Sequence, residues 1–578
     1  MTKLYNDPAR FTEDALAGFL DAHAERVVGV DGGVVRATTT PPGKVAVVVG
    51  GGSGHYPAFC GVVGTGFADG AVVGNVFTSP SAREAESVAR AAHGDAGVLL
   101  TTGNYAGDVM NFTLAVDHLR RDGIEAEYFA VTDDVASAPR GEETRRRGIA
   151  GDFTVFKCAS AAAESGMDLA EVVRVARAAN DATRTLGVAF DGCTMPGADT
   201  PLFSVRPGSM GVGLGIHGEP GIADKPMTSA AELAGLLVDG VLEDRPGVPP
   251  GRVAVILNGL GRTKYEELFA VWAEASKLLR ERGYTVVEPE VGELVTSLDM
   301  AGCSLTVMWL DDELERFWRA AADAPAYRKG AVDRAGARRS ARDAAAPAEV
   351  AAGGAGTEAD EAGAAAGTDA SSVLAELADL LAERENELGR IDAVAGDGDH
   401  GRGMAKGSAA AAAAAASVAA AGAGPASVLS AAGREWAARA GGTSGVLWGA
   451  MLEAFGGELG DAGTPRSHEV ARAAAAALDA VLRLGGARPG DKTMVDALSP
   501  FVTEFERDVA GGTRWTTAWA NAAQVAVRAA ADTAALVPKI GRARPLAEKS
   551  VGTPDAGAVS LALCLETVGR HYQEGERR

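Results

Sequence analysis

The 578-residue chain carries 55 Lys and Arg against 77 Asp and Glu, a net charge of −22, and 47% apolar residues of which few are aromatic. That sign of charge excludes a non-specific nucleic-acid or anionic-membrane surface, although a metal ion can still bring a nucleotide to it. The length calls for several domains, each with its own core, and the Ala- and Gly-rich composition favours close-packed helices and glycine turns over an aromatic-rich β-sandwich. Five scattered cysteines, Cys60, Cys158, Cys193, Cys303 and Cys564, lack metal-ligand spacing and read as reduced thiols. Neither a signal-peptide core nor a membrane-length apolar run is visible, so the expectation is a soluble, cytoplasmic protein without a nucleic-acid or membrane partner.

Residues 1–331 alternate β-branched runs with amphipathic stretches. The expected strands are Val45–Val49, Val98–Thr101, Glu127–Val131, Leu186–Phe190, Val253–Leu257, Tyr284–Glu288 and Ser304–Leu310. Helical stretches between them include Ser81–Ala92, Gly107–Arg121 and Tyr265–Arg282. This rhythm predicts an α/β domain in two lobes. Three of its turns carry polar residues. Val45–Val49 leads into Gly50-Gly51-Gly52-Ser53-Gly54-His55, where glycines either let the backbone approach a small polar ligand or phosphate, or simply make a tight turn. No Lys-Ser/Thr follows, so this is not a Walker loop. Val98–Thr101 leads into Gly103–Phe112, with Asp108 at a helix start, where a carboxylate can also serve as a cap. The segment Gly211–Gly221 holds His217 between glycines on an irregular loop, with no apolar helix face to pack against. Two histidines and an aspartate together can orient, deprotonate and covalently trap a small carbonyl compound.

From 332 to 371 the chain is Ala, Gly, Asp, Glu and Arg with almost no large apolar residue, and reads as a flexible linker. Residues 372–578 show helical periodicity, an uninterrupted Ala409–Ala416 run and glycine turns, which predicts an all-α domain of eight or so helices. Near its start, IDAVAGDGDHGRG spans Ile391–Gly403. Along an extended loop Asp397 and Asp399 share a side, and Asp392 can fold back to join them. Three converging carboxylates without a lysine call for a hard divalent cation such as Mg²⁺, the alternatives being a solvated turn or a calcium site. Gly442-Thr443-Ser444-Gly445 precedes an apolar stretch and predicts a helix N-terminus, whose free N–H groups suit phosphate.

Taken together these motifs resemble the dihydroxyacetone kinase family. GGGSGH, NYAGDVMNF, GIHGEPG, NGLG (Asn258–Gly261) and TSLDMAGCSLTV (Thr296–Val307) are similar to its ketose-binding domain. GDGDHGRGM, GGTSGVLWG, GDKTMVDAL and GRARPLAEKSVGTPDAGA (Gly541–Ala558) are similar to its helical-barrel nucleotide domain, and the match runs in order outside the linker. The resemblance implies ATP-dependent phosphorylation of the terminal hydroxyl of a short-chain ketose. It implies that neutral His217 adds to the carbonyl as a hemiaminal, that Asp108 takes the hydroxyl proton, and that His55 polarises the substrate. Gly52, Ser53 and Gly54 would supply close contacts. Asp392, Asp397 and Asp399 would hold two Mg²⁺ ions. His400, Gly401, Arg402, Gly403, Thr443, Ser444, Gly485, Thr493, Met494, Arg542 (or Arg544) and Asp555 would surround the ATP. A homodimer pairing the domains of different subunits is also implied.

Tyr56, where relatives often carry Glu, Gly103, where they often carry a substrate-contacting Lys, and the stretch Phe190–Thr194 depart from the family pattern. These departures point to an altered pocket and make erythrulose a candidate substrate beside dihydroxyacetone. Other readings of the same motifs are phosphoryl transfer from a phosphotransferase-system protein, an FAD-cyclising lyase, and a ketose-sensing regulator without catalysis.

Overall fold

The computed structural model describes residues 2–247, 251–331, 359–396, 398–540 and 547–575. They form two compact units, one before residue 332 and one after residue 358.

The first sheet of the N-terminal unit contains β1 (Val27–Val30), β2 (Gly33–Arg36), β3 (Ala46–Ser53), β4 (Gly70–Val76), β5 (Val98–Gly103) and β6 (Ala126–Val131), in the order β1-β2-β4-β3-β5-β6. The four strands β4, β3, β5 and β6 are parallel. The Val45–Val49 run is wholly buried, as a parallel strand covered on both faces requires. Helices Ala106–Arg121, Asp152–Glu164 and Leu169–Asp181 pack against these strands. Asp31-Gly32 makes a two-residue turn between β1 and β2, with Gly32 at φ 82°. Asp-Gly is the residue pair such hairpins favour.

The second sheet holds β7 (Thr183–Asp191), β8 (Ser209–Val212), β9 (Ala223–Pro226), β10 (Arg252–Gly259), β11 (Thr285–Val286), β12 (Glu290–Gly292) and β13 (Ala301–Trp309). Its order is β11-β10-β13-β7-β8-β9, with β12 also on β10. The run from β10 through β13, β7 and β8 to β9 is antiparallel. One face packs under helices Ala230–Glu243 and Tyr265–Glu281. From the other, Ala254, Ile256 and Met308 join Val47, Val49, Phe153, Phe156 and Trp318 in a core shared with the first sheet. The two expected lobes are these two sheets, each with its helices.

In the C-terminal unit eight helices pack in sequence: Glu361–Glu383, His400–Ala420, Pro425–Ala440, Gly442–Leu459, Ser467–Gly485, Val495–Ala510, Trp515–Asp532 and Ala556–Gly575. The last lies against the first and closes the ring. Short helices Glu385–Asp392 and Ala547–Ser550 lie between ring members in sequence. No strand occurs among the described residues of this unit. The first helix takes in residues 361–371, which the composition assigned to the linker; 332–358 lie outside the described residues. Large apolar side chains are not what holds its first turns. Gly363 and Gly367 set the helix against the backbone oxygens of Asp461 and Ala423, an approach that any side chain would block. No described helix is long and apolar enough to cross a membrane.

Candidate active site

The carboxyl ends of parallel strands are where ligand crevices form in α/β sheets, and three adjacent strands here deliver polar side chains at that end. After β3 the chain turns to His55, after β4 to Phe77 and Ser79, and after β5 to Asp108 in the first turn of helix Ala106–Arg121. His217 arrives from the other sheet, on the connection between β8 and β9. The two imidazoles meet with their Nε2 atoms 3.0 Å apart. The Phe77 ring stacks on His55 at 5.1 Å and meets His217 edge-on at 5.0 Å, and the Tyr105 ring contacts His217 from another side.

Hydrogen-bond partners at the outer ends of this pair determine its proton count. His55 Nδ1 lies 2.7 Å from the Thr296 carbonyl oxygen, which only accepts. His217 Nδ1 lies 3.0 Å from Glu219 Oε1, while Oε2 of the same carboxylate accepts from the His217 backbone N–H. Burial alone would raise the Glu219 carboxyl, but the His217 charge and hydrogen bond, with Arg147, hold it down to about 2, so it too only accepts. Both Nδ1 atoms therefore carry hydrogen, and the bond between the Nε2 atoms needs one more. Three N–H protons on two rings give the pair one positive charge, neutralised by Glu219. Burial, followed by the neighbouring His217, lowers His55 to about 3.

Asp108 is buried beside this pair and its Oδ1 has no hydrogen-bond partner. The helix is capped at Tyr105 without a side-chain bond, so capping does not occupy Asp108. Burial pushes its carboxyl up to about 6 against the opposing pull of Ser79 and His217. The loop glycines also have a packing reason. A side chain on Gly52 would meet the Thr78 backbone nitrogen at 2.7 Å, and one on Gly54, at φ 104°, would meet the Phe77 ring at 2.7 Å. These glycines make room for the turn that carries Phe77. Ser53 Oγ is spent on the Gly74 carbonyl at 2.6 Å. Glu219, Tyr105, Phe77 and Arg147 were not singled out from sequence. Arg147 donates to Asp134 at 2.9 Å and to the Gly213 carbonyl at 3.1 Å, and so braces the loop that carries His217.

In the helical unit a cavity of about 220 Å³ is lined by Asp392, His400, Thr443, Ser444, Gly485, Thr493, Met494 and Asp555 among others. Eight of the residues predicted to meet metal or nucleotide thus share one wall. Asp392 ends helix Glu385–Asp392, and Asp399 stands at the N-cap of helix His400–Ala420 without making a side-chain cap bond. Burial and the Asp392 charge raise the Asp399 carboxyl, Arg402 pulling the other way. Two oxygen donors that repel each other suit a hard divalent cation. Asp397, Arg542 and Arg544 lie outside the described residues, and no group of three metal-ligating side chains occurs among those described. Gly401, Arg402 and Gly403 are not on the cavity wall. Gly401 instead brings its helix against the Glu385 carbonyl, and Arg402 is exposed. Lys492, unforeseen, lines the cavity and donates to the carbonyls of Leu536 and Ser550 at 3.1 and 2.7 Å, tying together the two segments that flank it. Asp555 accepts from the Ala558 N–H at 2.8 Å, capping the last helix.

Residues 17–326 match the Dak1 domain and residues 394–570 the DAK2 domain. The chain belongs to the dihydroxyacetone kinase family. Within reach of this dihydroxyacetone kinase family member is a D-erythrulose kinase of Mycolicibacterium smegmatis, 70% identical over 98% of both chains. An L-erythrulose kinase of Pectobacterium atrosepticum is 54% identical over 98% of this chain and 96% of that one. The crystal structure of the dihydroxyacetone kinase from C. freundii in complex with AMP-PNP and Mg²⁺ matches with a TM-score of 0.52 at 31% identity, covering 98% of this chain and 99% of that one.

Proposed function

We propose that the protein is an ATP-dependent kinase that captures a short-chain ketose, dihydroxyacetone or erythrulose, on His217 and phosphorylates its terminal hydroxyl. The observation that carries this reading is the proton chain from Thr296 through His55 and His217 to Glu219, standing beside the unpartnered carboxyl oxygen of Asp108.

Capture begins when the proton between the rings moves to His55, freeing the His217 Nε2 lone pair. That nitrogen adds to the keto carbon while the C=O π pair moves to oxygen, and His55 Nε2–H protonates the oxygen. The product is a hemiaminal on an imidazolium that keeps its Nδ1–H against Glu219, and His55 is neutral again. Proton count and net charge are unchanged. Asp108 then takes the proton of the terminal hydroxyl as its oxygen attacks the γ-phosphorus; the bond from the γ-phosphorus to the β-bridging oxygen breaks and ADP leaves. Collapse of the hemiaminal reverses the first step and releases the sugar phosphate. A polyol offers no carbonyl for capture.

Asp392, Asp397 and Asp399 would hold Mg²⁺, two ions in our reading, which neutralises charge on the β- and γ-phosphates. The cavity formed by His400, Thr443, Ser444, Gly485, Thr493 and Met494 takes the nucleotide. Erythrulose is supported by the names of the two relatives at 70% and 54% identity. We further propose a homodimer in which the helical unit of one chain serves the α/β unit of the other. Mixing His217→Ala with Asp399→Ala chains would then restore activity that neither has alone.

The decisive experiment incubates the purified chain with Mg-ATP and a panel of dihydroxyacetone, D-erythrulose, L-erythrulose and glycerol. ADP release and the mass of the His217 peptide after borohydride-free rapid trapping are followed. Ketose-dependent ADP with none from glycerol is expected. Absence of turnover without a phosphocarrier protein would sink the ATP-dependent reading.

A further inference from the structure

Asp152 is a buried carboxyl that the mechanism above leaves unused. It opens helix Asp152–Glu164 and is 3% exposed, yet its Oδ1 has no hydrogen-bond partner. Its neighbour Asp133 shows what a structural carboxylate looks like in the same place. There the two oxygens accept from the backbone N–H groups of Ile149 and Gly151, each at 2.8 Å, and so shape the turn that presents Asp152. A position at a helix N-terminus does not account for Asp152, since an exposed carboxylate would have the same benefit without losing hydration. Leaving a buried acceptor unsatisfied costs about 1–3 kcal/mol. Such groups ask for a ligand.

A second unpartnered polar atom lies beside it. The Tyr105 hydroxyl is buried without a hydrogen bond, and its ring packs 5.0 Å from the His217 ring. Gly103 connects the two. A side chain placed there would meet Tyr105 Cε2 at 3.1 Å, the Gly148 carbonyl at 3.1 Å and Asp152 Oδ2 at 3.2 Å. The lack of a side chain at Gly103 leaves Oδ2 uncovered on that side, and the lack of one at Gly148, where it would meet the unpartnered Oδ1 at 2.5 Å, does the same for the other oxygen. One acceptor and one O–H donor, both without a partner and flanking Gly103, with the Tyr105 ring against His217, are the complement of a hydroxyl group.

We propose that Asp152 and Tyr105, uncovered by Gly103, form a hydroxyl-recognition subsite that selects ketoses longer than three carbons. This rests on the kinase reading above. With the keto carbon on His217 and one terminal hydroxyl at Asp108, a three-carbon ketose has a single hydroxyl left. A four-carbon 2-ketose has two, and the additional one donates to Asp152 and accepts from Tyr105. Burial, then the nearby Asp133 and Asp108, raises the Asp152 carboxyl well above its ordinary value, which suits a neutral group bonding to a neutral hydroxyl. Sites built to bond a substrate hydroxyl discriminate strongly against analogues lacking it, because their own polar groups are then left unpaired.

The test is the ratio of kcat/KM for erythrulose, each enantiomer separately, to that for dihydroxyacetone. It is measured on the full-length protein and on Asp152→Asn and Tyr105→Phe, with melting temperatures alongside. Each variant is expected to lower the ratio by roughly tenfold, whatever happens to dihydroxyacetone turnover itself. A ratio within twofold of the unsubstituted protein overturns the subsite, whether or not overall activity falls, because a merely structural defect reduces both substrates together. Should Asp152→Asn fail to fold, Tyr105→Phe, which removes one oxygen and keeps the ring, decides alone. If the unsubstituted protein phosphorylates no ketose, the kinase reading itself fails and the subsite with it; an intact kinase with an unmoved ratio refutes the subsite only.

Discussion

Replacing Glu219 by Gln tests whether the imidazolium of the adduct depends on a carboxylate. Glu219 makes two bonds at 3.0 Å, one to the ring and one to the backbone of the same residue. Gln keeps an acceptor for Nδ1–H but removes the charge that balances the extra proton. A hydrogen bond to a charged group contributes about 1.5–3 kcal/mol against about 0.5–1.5 for a neutral one. At about 1.4 kcal/mol per decade the difference is of order tenfold, and total loss of the bond reaches about 150-fold. Ketose kcat/KM should therefore fall by about 10- to 150-fold, while the KM for ATP, whose proposed site lies in the other unit, is unchanged. Coupled detection of ADP measures both constants, and a thermal melt confirms folding. Because Glu219 titrates near 2, it stays ionised at all working pH values, and the loss should be the same at pH 6.5 and pH 8.5. A loss below threefold, or one shared equally by the ATP KM, refutes the charge-pairing argument.

Other consequences follow from the same geometry. Asp108 acts as a base only when ionised, and its carboxyl is raised to about 6, so ketose kcat/KM should be full above that value and decline as pH falls through it; a flat profile from pH 5 to 8 would remove Asp108 from the role. Asp108→Asn should cost about 10²–10⁴ in kcat with the His217 adduct still detectable by mass. Asp399→Ala should abolish Mg-dependent nucleotide binding in calorimetry and leave ketose capture intact; unchanged nucleotide affinity would contradict the metal assignment. Gly401→Val forces a side chain against the Glu385 carbonyl, an overpacking cost of about 1–3 kcal/mol. The helical unit should then melt several degrees lower, at roughly 2–4 °C per kcal/mol. Weaker nucleotide binding at an unshifted melting temperature would instead make Gly401 a phosphate contact.

How much of this was legible depended on whether the signal was local. The buried parallel strands β3 and β5 stand out because both faces are covered and the runs are nearly continuous in apolar residues, while β6, at the sheet edge and partly buried, is marked by its Tyr128–Val131 run. The edge hairpin β1–β2 was passed over although Asp31-Gly32 marks it, because Val27–Val30 contains a glycine and is half-exposed. The antiparallel order of the second sheet was hidden, since β8 and β9 are four residues each and β9 is exposed throughout. His55, Asp108 and His217 were visible as polar residues in glycine-rich turns, and the structure brings them together. Glu219 was within reach, two residues after His217 in GIHGEPG, but nothing in the sequence says that a loop carboxylate bends back onto its neighbour's ring. Asp152 carries no motif at all; its significance lies in a missing partner, which only coordinates reveal. Gly401 and Gly52 were read as ligand contacts; each also has a packing role that the sequence does not show, since a glycine required by a passing backbone and one required by a phosphate look identical there.

The His217 and His55 rings are mounted on different sheets that meet through one apolar core. A displacement of an ångström between those sheets would break the Nε2-to-Nε2 link while leaving each sheet's own ladder untouched. Ketose turnover is therefore a gauge of docking between the lobes. On warming, activity should disappear at or before the loss of secondary structure, since the two rings cooperate only while their scaffolds stay seated.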